Sequence, residues 1–139
     1  MNVERFRANY TATTPDPAYL PAKIFNHRCV PADYTVRLVV EMGNGHRIIL
    51  PEREVQAVYP HFVYGYWKSF SGGRCAKTGF DMFHPFFIHG HRMSRAGRVE
   101  YEVQWVGYDE LDTTWEKARD LAMWSSDLKD EYDSANQLQ

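Results

Sequence analysis

The sequence predicts an α+β chain of two small modules, each a curved three-stranded antiparallel sheet closed by a C-terminal helix. Three observations carry this reading. Val36, Leu38 and Val40 alternate with Arg37 and Glu41, and Gly43-Asn44-Gly45 separates them from a second run, His46 to Leu50, the pattern of a hairpin. Behind Pro60, which suits a first helical turn, Phe62, Val63, Tyr66, Trp67 and Phe70 fall on one helical face. The order then repeats: Val99, Tyr101, Val103 and Trp105 alternate with Glu100, Glu102 and Gln104, and Leu121, Trp124, Leu128 and Tyr132 follow at helical spacing. A chain of 139 residues is long enough for two such domains.

Taken in order, residues 1–32 read as an irregular arm, because Pro15, Pro17, Pro21 and Pro31 interrupt any periodic pattern. Residues 33–70 form the first module. Residues 71–82 read as a linker. Their Gly-Gly-Arg-Cys-Ala-Lys-Thr run looks superficially like a phosphate loop, but Ala76 stands where the glycine before Lys77 should be, and the run follows a helix rather than a strand. Residues 83–139 form the second module. Trp105 ends its alternating strand, and Gly107 lets the chain turn so that Tyr108 swings back toward the Trp105 ring. Thr113 to Glu116 is a further short strand, with Trp115 expected as its buried member and Trp105 left free. Ser125 or Ser126 is expected to cap the closing helix, with Asp127 in its first turn.

The corner between Trp105 and Asp112 carries a specific chemistry. Two aromatics three positions apart are followed by Asp109, Glu110 and Asp112. A trimethylammonium head donates no hydrogen bonds and is weakly hydrated, so the negative faces of converging rings hold it best, at roughly 0.5 to 2 kcal/mol per ring. Nearby carboxylates add attraction without needing a donor.

These residues resemble a known family. The run Glu100-Tyr101 through Val103, Trp105, Gly107 and Tyr108, then an acidic stretch, Thr114-Trp115-Glu116 and an amphipathic helix, is similar to the chromodomain over residues 83–135. Chromodomains are the methyl-lysine readers of heterochromatin and Polycomb proteins. The resemblance implies that Trp105 and Tyr108 are two walls of an aromatic cage, with Asp112 as the carboxylate near the ammonium and Asp120 as a backbone contact for the bound peptide. Glu110 joins them as a peptide-side residue. An ungapped count places His84 at the third wall, and a single deletion places Phe83 there. Phe83 is preferred, with His84 and Phe86 as alternates and Phe87 within reach. Lys117 stands where the family usually has proline, at the edge of the site.

A second resemblance covers residues 34–70, whose Tyr59-Pro60, Val63 and Tyr66-Trp67 are similar to the closing helix of a chromo shadow domain. Met42 occupies the position of the cage tryptophan, and a thioether lacks the quadrupole that a cation needs. The resemblance therefore implies protein interaction through Phe62, Tyr66, Trp67 and Phe70, by self-association or by binding a partner. The same aromatics would equally suit burial against the module's own sheet. In heterochromatin proteins the shadow domain follows the chromodomain, so the order here is reversed.

Composition excludes other classes. The chain is near neutral at −2, but residues 1–80 carry a net +4 and residues 81–139 a net −6. An acidic half suits a basic peptide such as a methylated histone tail, and nucleic acid is not expected as its partner. No apolar run is long enough to span a membrane and no signal peptide is recognised, which reads as an intracellular protein; the resemblance implies the nucleus and a role in gene silencing. Cys29 and Cys75 lack metal or disulfide spacing. His84, His89 and His91 lack further ligands for a metal, and no nucleophile has an identifiable base. No enzyme, metal or cofactor is expected. The reading is a chromatin reader, with a non-reading scaffold or dimerisation module as its alternative.

Overall fold

The computed structural model describes residues 16–138. The chain divides into two compact units between Met82 and Phe83. In each, three antiparallel strands pair in sequence order into an open sheet.

The first unit's strands are β1 (Pro21–Val30), β2 (Thr35–Met42) and β3 (Arg47–Pro51). The β2–β3 hairpin turns where the glycines predict. Gly43 is required there by close approach, since a Cβ on it would stand 2.1 Å from the Pro17 carbonyl oxygen. Strand β1 departs from the expected arm, of which residues 1–15 lie outside the described residues. It is an edge strand with two bulges, and Ile24 is its one fully buried residue. Such a strand leaves no alternation to read.

Three helices follow: α1 (Glu52–Val58), α2 (Pro60–Lys68) and α3 (Gly73–Thr78). Val55, Val63 and Trp67 pack with Val36, Leu38, Val40 and Leu50 into one core. Trp67 is thus buried in its own unit, at 2 % exposure, rather than offered to a partner. Phe62, Tyr66 and Phe70 are half-buried against the same core. The expected linker also differs. Within residues 71–82, Arg74 is buried and Phe80 reaches the core. The Arg74 guanidinium donates two hydrogen bonds to Glu52, at 2.8 and 3.1 Å, and the Trp67 indole N–H donates to the same carboxylate at 2.6 Å. This ion pair ties α1, α2 and α3 together. Six residues between glycines at positive φ hide such a helix from any periodicity test.

The second unit comprises β4 (Pro85–Met93), β5 (Val99–Trp105), β6 (Thr113–Lys117) and α4 (Ala118–Ala135). Ile88, Tyr101, Val103 and Leu121 form its core, with Leu128 and Tyr132 packed against them. The buried Tyr101 hydroxyl donates to Asp133 at 2.7 Å, and Lys129 holds the other carboxylate oxygen at 2.8 Å. Burial, then the hydrogen bond to Asp133, push the Tyr101 phenol well above its ordinary range. Helix α4 starts at Ala118, seven residues before Ser125, and its helical dihedrals break at Ser125, so a second helical segment begins at one of the two serines expected to cap the helix.

Candidate functional site

Trp105 and Tyr108 are placed by one turn. The Tyr108 N–H donates to the Trp105 carbonyl at 3.1 Å, and Gly107, at i+2, has a φ of +90°. That combination is a type II turn, which requires a residue able to adopt positive φ at this position. Two side chains fix its geometry. The buried Gln104 amide donates to the Tyr108 carbonyl at 2.9 Å and shares a 2.7 Å hydrogen bond with His89. The Trp105 indole N–H donates to Thr114 Oγ1 at 2.8 Å, which locks the ring against β6.

Phe83 arrives from the other side of the hairpin. The Val106 N–H donates to the His84 carbonyl at 2.9 Å, so the segment before β4 runs beside the turn. The Phe83 ring lies 6.5 Å from Trp105 and 5.8 Å from Tyr108, centre to centre, inclined at 67° and 78°. Phe83 is 38 % exposed and the other two rings are half-buried. Phe83 therefore meets both other rings at steep angles on a face that solvent reaches. His84 contributes its backbone to this corner, while Phe86 sits half-buried at the bulge between Pro85 and Phe87. Phe87 is half-exposed and packs edge-on against His89.

The acidic residues separate by role. Asp109 is buried, and its carboxylate accepts the Leu111 N–H at 3.0 Å, which shapes the loop. Glu110 and Asp112 are exposed in that loop. Asp120 lies in the first turn of α4, 3.8 Å from Arg119. Among the described residues no group of His, Cys, Asp and Glu could hold a metal ion, and no helix is long and apolar enough to cross a membrane.

Two tryptophans depart from expectation. Trp115 is 40 % exposed rather than buried. It pairs directly with Glu102, so it shares the face of the sheet opposite Tyr101 and Val103, and the Arg92 guanidinium lies 4.1 Å over its ring. Trp124 is 45 % exposed and its ring lies 5.9 Å from Trp105. Helical spacing assigns Trp124 to the core, because spacing alone does not reveal the break at Ser125. Its neighbourhood with Trp105 leaves no local signal in the sequence.

Residues 84–135 match the Chromo (CHRromatin Organisation MOdifier) domain. No curated protein matches the chain. The match lies within the second unit and begins one residue after Phe83. Chromo domains are binding modules of chromatin proteins, not enzymes, and methyl-lysine reading is a role found at family level.

Proposed function

We propose that the second unit binds a methylated lysine of a histone tail between Phe83, Trp105 and Tyr108. The observation that carries this reading is the approach of the Phe83 ring to both others at steep angles on an accessible face. A quaternary nitrogen between them would meet three π faces, and the exposed Glu110 and Asp112 supply a negative field along the adjoining loop. The peptide enters as an added strand between the Phe83 segment and the stretch from Asp112 to Asp120, its backbone supplying register. So short a groove offers micromolar affinity, on the order of −7 to −8 kcal/mol. Such a protein works in the nucleus, in gene silencing.

The first unit serves protein interaction in this reading, through the half-buried edges of Phe62, Tyr66 and Phe70. A partner or a second copy of the chain would dock there. Sedimentation of the chain alone tests the second-copy form, which a strictly monomeric profile rules out.

The test of the cage is calorimetric titration with trimethylated and unmodified tail peptides. Trp105→Ala should bind both peptides alike while still unfolding cooperatively, at a somewhat lower temperature because its ring packs on the core. A variant that still prefers the methylated peptide as strongly as the parent does would overturn the cage.

A further inference from the structure

The face of the first sheet that turns away from its helices is not the purely polar surface that a one-sided sheet presents to water. Leu38, Val40 and Leu50 point into the core, so by alternation Arg37, Val39 and Glu41 of β2, with Arg47 and Ile49 of β3, share the opposite face. Strand register sets three rows across it. Arg28, Arg37 and Pro51 form one, Asn26, Val39 and Ile49 the next, and Lys23, Glu41 and Arg47 the third. Phe25 sits at the β1 bulge between the last two rows, with the Arg47 guanidinium 3.4 Å over its ring. Ile49 and Phe25 are 42 % and 44 % exposed, and Val39 is buried without belonging to the core.

Lys23, Arg28, Arg37 and Arg47 set four cations against one carboxylate, Glu41, on this face. Glu41 is already engaged: Arg47 donates to it at 3.2 Å and Lys23 lies 3.8 Å away. Arg28 and Arg37 are left. Both are exposed, they stand directly opposite one another in the antiparallel ladder, and among the described residues no carboxylate lies within 4 Å of either guanidinium. Asp33, in the turn that joins β1 to β2, accepts the Thr35 N–H and hydroxyl, at 3.2 and 2.6 Å. Like charges facing each other with Cβ atoms about 5 Å apart weaken a sheet. An anion held between the two guanidinium forks turns that repulsion into a set of charge-assisted hydrogen bonds.

We infer that this face docks an acidic, amphipathic segment of a partner protein, with a carboxylate bridging Arg28 and Arg37 and apolar side chains over Val39 and Ile49. Charge complementarity sets the sign of the partner, and the apolar middle row sets its chemistry. A nucleic acid fits less well, because phosphates laid across the face would bring charge onto Val39 and Ile49 and beside Glu41. The surface lies on the other side of the sheet from Phe62, Tyr66 and Phe70, which pack on the core. It therefore stands apart from the interaction proposed for those residues, and it does not need the cage.

Fluorescence anisotropy with the full chain tests it. The probe is a labelled peptide of glutamates interspersed with leucines, set beside a labelled glutamate–serine peptide of the same charge and a labelled DNA duplex. The parent should bind the glutamate–leucine peptide at least tenfold more tightly than the glutamate–serine one. Arg28→Thr/Arg37→Thr should weaken that binding at least tenfold while unfolding at the parent's temperature or above, since the facing charges are gone and threonine suits a strand. Arg37→Glu is the second variant: it sets a carboxylate against Arg28 across the ladder, which supports the fold, and it should abolish binding. Ile49→Thr should weaken the glutamate–leucine peptide about threefold and leave the glutamate–serine peptide as it was. Failure of the parent to bind the glutamate–leucine peptide, equal affinity for both peptides, or undiminished binding by either arginine variant overturns the proposal. So does tighter binding of the duplex than of the peptide, which would make the face one for nucleic acid. Self-association of the parent that Arg37→Glu abolishes overturns it too, because the occupant would then be a second copy of the chain.

Discussion

Trp67 in the first unit and Trp105 in the second each donate an indole N–H to an oxygen of their own unit, and there the likeness ends. Trp67 reaches a buried carboxylate, has 2 % of its surface exposed and is walled by its own core. Trp105 reaches a threonine hydroxyl, stays half-exposed and has Phe83 and Trp124 inclined toward it. One ring is a structural strut; the other, packed on one side against its own core, is in the proposed function held still for a ligand. A hydrogen bond at the edge of an indole therefore does not by itself mark a structural tryptophan, and what stands over the face decides the role.

The largest expected effect breaks the strut. Arg74→Met leaves the Glu52 carboxylate buried without its guanidinium, which should cost about 3 to 5 kcal/mol of stability. Chemical denaturation measures the loss. Glu52→Leu combined with Arg74→Met removes both charges and should recover most of it, because two well-packed apolar side chains replace a buried pair with little net cost. Neither variant should alter peptide titration by the second unit. A change in that affinity would show that the two tryptophans are not independent.

Phe83→Ala sharpens the other side of the comparison. Losing one ring of three should weaken binding of the trimethylated peptide by about 0.5 to 2 kcal/mol, leaving the unmodified peptide and the melting temperature as they were. Calorimetry with both peptides reads this directly. An equal loss for both peptides would place Phe83 in the peptide groove but outside the cage.

The second unit was readable where the candidate site depends on local spacing. Trp105, Gly107 and Tyr108 share one four-residue turn, and a glycine in that position is a conformational requirement visible in one dimension. Phe83 comes from 22 residues upstream, and the pairing of Pro85 with Trp105 and the hydrogen bond between Val106 and His84 bring its ring to the turn. Trp115 and Trp124 were misplaced for a common reason: apolar spacing tells how often a face recurs, not which face meets the core. In the first unit, β1 escaped notice because an edge strand with bulges shows most of its residues to solvent.

A smaller effect tests the turn without removing a ring. Gly107→Ala forces a Cβ into positive φ and should destabilise the local conformation by about 1 to 2 kcal/mol. The strain falls on the turn that sets the Trp105–Tyr108 geometry, so affinity for the methylated peptide should drop while that for the unmodified one changes less. Equal affinity for the methylated peptide before and after the substitution would mean that the turn does not set the distance between the rings.

The smallest effect returns to the first unit and its pH dependence. His27 packs 4.9 Å from the Trp67 ring, and its Nδ1 shares a 2.6 Å hydrogen bond with the Tyr66 hydroxyl. Burial, and after it the charge of Lys77, hold the His27 pKa below its ordinary 6.5. Above that pH the ring is neutral in both folded and unfolded chains, and it adds no slope to stability. As pH falls below 6.5 the unfolded chain takes up the proton first, so stability declines until the folded pKa is passed. His27→Asn should therefore remove part of the acid sensitivity that sets in as pH falls below 6.5. Melting temperatures of parent and variant across that window measure it, and parallel curves would show that the strut around Trp67 does not depend on a neutral His27.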